Sequence, residues 1–154
     1  MRFMLMVAAA SAVCATVALA EEEDPFADAV ETRHGLMLQM ATEMGKVGAM
    51  SKDEAPYDAA VASKAAANIA AIASVLSMDQ FPAGSEYQKA TDSFALPAIW
   101  TAQDDFLKKV ADLNTAAATF QTAAGTDLDS LKAGMAGIGG ACAACHKVYR
   151  QPEE

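Results

Sequence analysis

The sequence predicts an all-α protein, an antiparallel four-helix bundle, and three observations support this fold class. Strand signals are nearly absent, because β-branched residues rarely alternate with polar ones, and alanine, the best helix former, is frequent. Four segments instead carry apolar residues at helical spacing. A short turn and a longer connection separate these segments, and a length of 154 residues suits a single domain with one core.

Residues 1–20 indicate a secretory signal peptide ahead of the bundle. Arg2 supplies a positive start, an apolar run follows, and an Ala-Leu-Ala triplet ending at Ala20 matches a small-residue cleavage site. Cleavage there would leave residues 21–154 as the mature four-helix-bundle domain. Because exported bacterial chains of this kind mature in an oxidising compartment, we expect the domain in the periplasm.

Two other interpretations of the N-terminus stay open. The apolar run could anchor the chain in a membrane, although it is shorter than the roughly 20 residues that span a bilayer. Cys14 could carry a lipid anchor, although Val13 stands where a small residue is expected. Cleavage after Ala20 would remove Cys14, so the mature protein would keep two cysteines and no membrane span.

The first helix is predicted over residues 25–50. Asp24 can cap its start, and Pro25 suits the first turn because proline lacks the N–H that would be unpaired there. Apolar residues then recur at alternating spacings of four and three, the pattern of a face that packs against neighbouring helices. One member of this inward stripe is an arginine, and the stripe consists of Phe26, Val30, Arg33, Met37, Met40, Met44 and Val47.

The second helix is predicted over residues 56–76, beginning at Pro56. A Phe-Pro-Ala-Gly-Ser segment at residues 81–85 breaks the helical pattern, so residues 78–96 form the long connection. The predicted inward stripe of this helix is Val61, Ala65, Asn68, Ile72 and Val75.

The third and fourth helices are predicted over residues 97–124 and 127–150. Gly125 ends the third helix, and Thr126 with Asp129 forms a variant of the capping box at the start of the fourth. The third helix has the stripe Ile99, Gln103, Phe106, Val110, Leu113, Ala117, Phe120 and Ala124. The fourth has Leu128, Leu131, Met135, Ile138, Cys142, Cys145 and Tyr149, which places both cysteines on the core face.

The chemistry of the chain is concentrated in a Cys-x-x-Cys-His motif on the fourth helix. This pattern is the attachment signal for c-type haem. Cys142 and Cys145 lie one helical turn apart, so their thiols can add to the two vinyl groups on one porphyrin edge. The His146 imidazole can reach the iron from the same side. We therefore expect one covalently attached haem c among the helices.

A haem-free dithiol or zinc-binding bundle is the alternative from another class. A structural zinc site needs about four ligands, and only His34 is left to join the three residues of the motif. A thioredoxin-like dithiol normally lies next to a strand–helix unit, which this chain lacks. The two cysteines could also be packing residues of the core.

The charge of the chain excludes several classes of partner. The formal net charge is −9, and loss of Arg2 with the signal peptide makes it −10. This balance repels phosphate backbones and anionic membrane surfaces, so nucleic acid is not an expected partner. No acid–base or nucleophile set is visible, and we therefore do not expect an enzyme.

Several stretches of the sequence resemble the class II c-type cytochromes, which comprise cytochrome c prime and its low-spin relatives. The motif lies close to the C-terminus, as in that class, and the resemblance covers essentially the whole chain from residue 21. It rests on Cys142-Ala143-Ala144-Cys145-His146-Lys147-Val148-Tyr149-Arg150, Gly137-Ile138-Gly139-Gly140, Leu96-Pro97-Ala98-Ile99-Trp100 and Arg33-His34-Gly35-Leu36-Met37.

The resemblance implies a left-handed four-helix bundle in the periplasm, often a homodimer packed through its first and second helices. Cys142 and Cys145 would be the thioether residues and His146 the proximal iron ligand. Arg150 matches a basic residue beside that histidine. The family match also implies that Arg33 contacts the haem propionates, which would compensate a charge on the inward stripe. In the alternative, Arg33 lies near the end of the bundle and its head group reaches water.

Met37 occupies the distal position of the family, and its role is left open by the residue type. In low-spin members a methionine there ligates the iron, which suits an electron carrier serving redox partner proteins. In cytochrome c prime the corresponding side chain only crowds the iron, which stays five-coordinate and binds NO or CO. Met40 and Met44 follow on the same stripe, so all three could also be core filler. Acidic residues such as Asp104 could steer a basic redox partner.

Overall fold

Four long helices dominate the computed structural model, which describes residues 24–152. They are α1 (Ala27–Ser51), α2 (Ala59–Ser74), α4 (Gln103–Ala123) and α5 (Leu128–Tyr149); a single turn, α3 (Ala98–Thr101), precedes α4, and a short 3-10 helix occupies Met78–Gln80. The predicted all-α bundle is therefore confirmed. The predicted signal peptide lies outside the described residues. No helix in the described part of the chain is both long and apolar enough to cross a bilayer.

Aspartates cap two of the long helices. The Asp58 carboxylate accepts hydrogen bonds from the backbone N–H groups of Ala60 and Val61 at 2.9 and 3.0 Å, at the start of α2. At the start of α5 the cap is Asp127, which accepts from Ser130 N at 2.7 Å. The predicted Thr126 cap is thus wrong by one residue, because Asp127 adopts the extended backbone of a capping residue and its carboxylate satisfies the helix N–H.

The third predicted helix is interrupted at Ala102. This residue has φ −129° and ψ 47°, which separates α3 from α4. The interruption changes the phase of the helix, so Gln103 is exposed although the stripe predicted it to point inward. The short α3 holds Trp100, whose indole Nε1–H donates to the Phe81 carbonyl at 3.0 Å. The connection and α4 are therefore linked through this turn.

The inward face of α2 differs from the predicted stripe. Of that stripe only Ala65 is buried, whereas Val61 and Val75 are 41% and 51% exposed. Alanine fits a close helix–helix approach, so the small residues and not the larger ones mark the inward face here. The buried residues of α2 are Ala62, Ala65, Ala66, Ile69 and Ala73.

Two groups of buried residues form the interior. The larger one joins α1, α2, α4 and α5 around residues such as Val47, Ile69 and Phe120. The smaller one lies beneath the connection and consists of Ala95, Ile99, Phe106 and Tyr149. The connection reaches the end of α5, where Leu96 N donates to the Tyr149 carbonyl at 2.9 Å. This second group positions the segment that carries the haem motif.

Candidate functional site

A cavity of about 630 Å³ opens between α1, α4 and α5, and the connection closes one of its sides. This volume lies in the range of cofactor pockets in proteins. Apolar side chains form most of its wall, with Met40 from α1, Val110 and Leu113 from α4, and Phe81 from the connection. The cavity can therefore enclose a large, flat, mainly apolar group.

The wall contributed by α5 brings the three residues of the motif together. Cys142 and Cys145 are half-buried, and both are free thiols. Burial raises the pKa of each thiol, and the neighbouring Cys142 adds to the effect at Cys145. His146 lines the cavity but is exposed to solvent at its rim, and partial desolvation together with the charge of Arg150 lowers its pKa. The lowered pKa favours the neutral imidazole, which is the form that ligates a metal.

The opposite wall comes from α1 and contains Met37. The Met37 side chain is half-buried and lines the cavity next to the buried Met40. Among residues 24–152, those that line the cavity do not include Met44, the third methionine of the stripe. The bundle thus places a thioether on one helix and an imidazole on another around one apolar space.

Arg33 also lines the cavity, but its guanidinium is bound by the connection. Nη1 donates to Ser85 Oγ at 2.9 Å and to the Gln80 carbonyl at 3.2 Å. Nη2 donates to the Ser85 carbonyl at 2.8 Å and to Ser93 Oγ at 2.6 Å. These bonds use four of the five N–H donors of an arginine. The buried head therefore finds its partners in the protein, and the predicted propionate contact stays a prediction.

Phe94 lies at the cavity mouth between residues of the two walls. The Arg150 guanidinium carbon is 5.4 Å from the centre of the Phe94 ring, and the His34 ring lies 6.2 Å away. His34 is exposed. Arg150 lies near His146, whose pKa it lowers through its charge.

Tyr149 and Asp105 form a contact that the sequence analysis missed. The Tyr149 hydroxyl donates to Asp105 Oδ2 at 2.7 Å, and its ring meets Phe106 edge-on at 5.2 Å. Burial, followed by the Asp105 bond, raises the pKa of Tyr149 to about 12. The only signal in the sequence was the position of Tyr149 one helical turn after Cys145 on the inward stripe.

The residues present fit a haem group better than a bound metal ion. Within residues 24–152 no three His, Cys, Asp or Glu side chains converge on a point where a metal ion could be held. The cavity lining includes the cations Arg33, Lys109 and Arg150, whereas no described Asp or Glu lines it. This charge suits the two carboxylates of a haem, and the half-buried thiols lie one turn apart for its vinyl groups.

Comparison with known proteins gives one consistent result. The sequence model of the Cytochrome C′ family matches residues 28–150. Cytochrome c-554 of Cereibacter sphaeroides is 52% identical over 136 residues, which cover 88% of this chain and 89% of that protein. The cytochrome c′ structure from Rhodobacter sphaeroides is 31% identical, with a TM-score of 0.79 over 83% of this chain and 98% of that one. A nitric oxide complex of a cytochrome c prime variant from Alcaligenes xylosoxidans has a TM-score of 0.73 at 30% identity, over 82% and 97% of the two chains.

Proposed function

Because this chain belongs to the cytochrome c′ family, whose members carry one covalently bound haem c, we propose that it transfers single electrons between redox proteins in the periplasm. In this proposal it is an electron-transfer protein and not an enzyme. The observation that carries the proposal is the cavity wall: α1 presents the Met37 thioether and α5 the His146 imidazole to one apolar space. Histidine and methionine are the axial pair that raises a haem potential for electron transfer.

Each residue of the motif has a separate task in this proposal. Cys142 and Cys145 form the thioether bonds that keep the haem attached, and His146 ligates the iron on the α5 side. Arg150, which lies near His146, favours the neutral ligand form of the imidazole. When bound, the haem supplies an iron that alternates between the ferric and ferrous states.

The apolar walls serve electron transfer by excluding water. Met40, Val110 and Leu113 line the space around the expected haem face. A hydrophobic shell controls solvent access and local dielectric, and both affect the reduction potential. In the proposed carrier Met37 would hold the iron together with His146 and would exclude an exchangeable ligand.

Gas binding is the second candidate function, and two observations favour it. One of the similar structures is a nitric oxide complex of a cytochrome c prime variant. The methionine-lined wall of α1 is apolar, and such a wall suits NO or CO if Met37 only packs beside the iron. His146 would then be the one protein side chain that holds the iron.

Absorption spectra of the ferric and ferrous protein, recorded before and after CO addition, distinguish the two functions. The chain is expressed in a periplasm with haem-maturation machinery. An electron carrier gives a sharp ferrous α-band, a weak ferric iron–sulfur band and no response to CO. Met37→Ala should abolish the iron–sulfur band and admit CO, whereas Met44→Ala, on the same helix but off the cavity, should leave both unchanged. Broad bands that respond to CO in the wild type would make gas binding the function.

We also propose that the exposed face of α2 packs against a second copy of the chain. Val61 and Val75 are exposed on this face, and Lys64 is the only charged residue of the helix. Sedimentation velocity tests the proposal. Val75→Glu should halve the sedimenting mass, whereas Leu107→Glu, at a similarly exposed apolar position on α4, should not. A monomeric wild type would refute it.

The redox partner we propose is a basic protein. The chain is acidic overall, and Asp104 at the start of α4 is exposed. Opposite charges steer encounter and raise the association rate at low salt. Stopped-flow reduction by a basic donor should slow as salt rises; a rate independent of salt would refute this part of the proposal.

A further inference from the structure

The last turn of α5, which follows His146, is held from two sides. On one side the connection supplies backbone bonds: Leu96 N donates to the Tyr149 carbonyl at 2.9 Å, and the Phe94 carbonyl accepts from Gln151 N at 2.8 Å. On the other side Asp105 of α4 accepts from the Tyr149 hydroxyl at 2.7 Å, while the Ala102 carbonyl is a more distant acceptor at 3.5 Å. The side-chain bond is the only one of these contacts that a conservative substitution can remove.

The Tyr149 side chain is buried and packed on several sides. The residue is 3% exposed, and its ring packs edge-on against Phe106, which packs in the same way against Phe81 at 5.0 Å. A hydroxyl in such a place needs a hydrogen-bond partner, and a bond to a carboxylate is stronger than one between neutral groups. Asp105 is exposed and does not line the cavity, so the carboxylate of this bond lies outside the cavity.

Residues three positions apart on a helix lie on neighbouring parts of one face, so a shift at Tyr149 is transmitted to His146. The same turn carries Cys145, so the proposed thioether bond and the proposed axial ligand move together with the tyrosine. We propose that Tyr149, held by Asp105, is a positioning residue that fixes the orientation of the His146 imidazole toward the iron. This inference rests on the proposed function, because it requires the haem. Partners that orient a ligating histidine tune the metal it binds.

The experiment uses the haem-loaded protein and separates the hydrogen bond from the charge of Asp105. Tyr149→Phe removes only the hydroxyl, and Asp105→Ala removes the acceptor. Asp105→Asn keeps an acceptor oxygen without the charge. Asp104→Ala removes a neighbouring exposed charge and serves as the matched control. Two readouts are recorded: the midpoint potential, and the pattern of haem methyl shifts in the proton NMR spectrum of the ferric protein, which depends on the orientation of the imidazole plane.

We expect Tyr149→Phe and Asp105→Ala to change the methyl pattern alike, because both remove the bond between the hydroxyl and the carboxylate. The double variant should add no further change in the pattern. Asp105→Ala also removes a charge that acts on Cys145, so its potential should differ from that of Tyr149→Phe by the shift that Asp105→Asn shows alone. Asp104→Ala should match the wild type in both readouts, and Asp105→Asn should keep the wild-type methyl pattern. A folded, haem-containing Tyr149→Phe with the wild-type pattern would overturn the inference, and so would an Asp105→Asn with the methyl pattern of Asp105→Ala. A wild type without covalent haem would refute the proposed function itself.

Discussion

Replacing Arg33 with methionine should destabilise the folded protein by about 2–4 kcal/mol. The substitution removes the guanidinium but keeps an unbranched side chain of comparable length, so the main change is the loss of hydrogen bonds. Arg33 is 4% exposed and joins α1 to the connection. Its removal therefore affects the segment that closes one side of the cavity.

The magnitude follows from the fate of each acceptor. Ser93 Oγ donates to the Ser85 carbonyl at 2.7 Å, so these two groups keep a partner after the substitution. Ser85 Oγ and the Gln80 carbonyl lose the arginine as their donor, and Ser85 is fully buried. The unsatisfied buried Ser85 hydroxyl costs about 1–3 kcal/mol, and loss of the part-buried bond to the Gln80 carbonyl adds about 0.5–1.5 kcal/mol. Relief from burying the guanidinium, whose pKa is lowered by desolvation, offsets part of this cost.

Urea unfolding of the haem-loaded protein measures the effect. Lys108→Met is the matched control, because Lys108 forms an exposed ion pair with Asp112 at 3.1 Å and should cost less than about 1 kcal/mol. Arg33→Lys should lie between the two, since an ammonium cannot reproduce the planar fork of donors. A loss below about 1 kcal/mol in Arg33→Met would refute the reasoning. In the same variants an unchanged midpoint potential would count against the predicted propionate contact.

Three further predictions concern pH and packing. The pKa of Glu43 is lowered, chiefly by its bond to Lys46. This carboxylate therefore stabilises the fold at pH values above its ordinary pKa of 4.5, and the stabilisation is lost as the pH falls through the lower folded-state pKa. Glu43→Gln should flatten the acid limb of a stability–pH profile. The pKa of Tyr149 is raised from 10.0 to about 12, so the stability that the phenol contributes is complete below pH 10 and disappears towards pH 12. Tyr149→Phe should remove this loss of stability at alkaline pH. An unchanged slope of stability against pH in that range would contradict the raised pKa. Gly134→Ala should lower the free energy of unfolding in urea by about 1–3 kcal/mol, because the new Cβ would lie 2.5 Å from the Phe120 ring. Gly137→Ala is the control on the same helix; its Cβ would lie in open space, so it should raise the free energy of unfolding by about 0.5–1 kcal/mol. Equal effects of the two substitutions would refute the packing argument.

The sequence predicted those parts of the site that depend on local spacing. Cys142, Cys145 and His146 fall within two turns of one helix, so the helical repeat alone determines that they share a wall. Met37 was placed on the inward stripe of the first helix by the same periodicity, and it lines the same cavity. These placements agree with the cavity lining because nothing between the residues alters the phase of either helix, while the roles of the four residues toward a haem stay predictions.

Periodicity failed where size no longer indicates burial. In α2 the larger residues Val61 and Val75 were taken as the inward stripe, but the helix packs through alanines and leaves both valines exposed. In the third predicted helix the interruption at Ala102 changed the phase and turned Gln103 outward. A pattern of apolar residues cannot report an interruption that arises from contacts with other segments.

The partners of Arg33 and Tyr149 were beyond sequence analysis for a different reason. Arg33 bonds Ser85 and Ser93, which are 52 and 60 residues away, and Tyr149 bonds Asp105, 44 residues away. No local pattern encodes such pairs. Because burying the Arg33 charge is costly, the sequence indicated that Arg33 has a partner but not which one. In the structure the partner is Ser85 of the connection, so the guanidinium is hydrogen-bonded without any carboxylate of a cofactor.

These distant contacts bear on the choice between the two proposed functions. Met37 and His146 line the same cavity, and whether Met37 would ligate an iron held by His146 depends on the separation of α1 from α5. The connection links the two helices, because Arg33 holds it to α1 while Leu96 bonds the end of α5 and Phe94 bonds Gln151 just beyond it. We therefore expect changes in this segment to alter the position of the Met37 thioether relative to the α5 wall. In that case the choice between the two proposed functions would depend on the connection as well as on the residue at position 37.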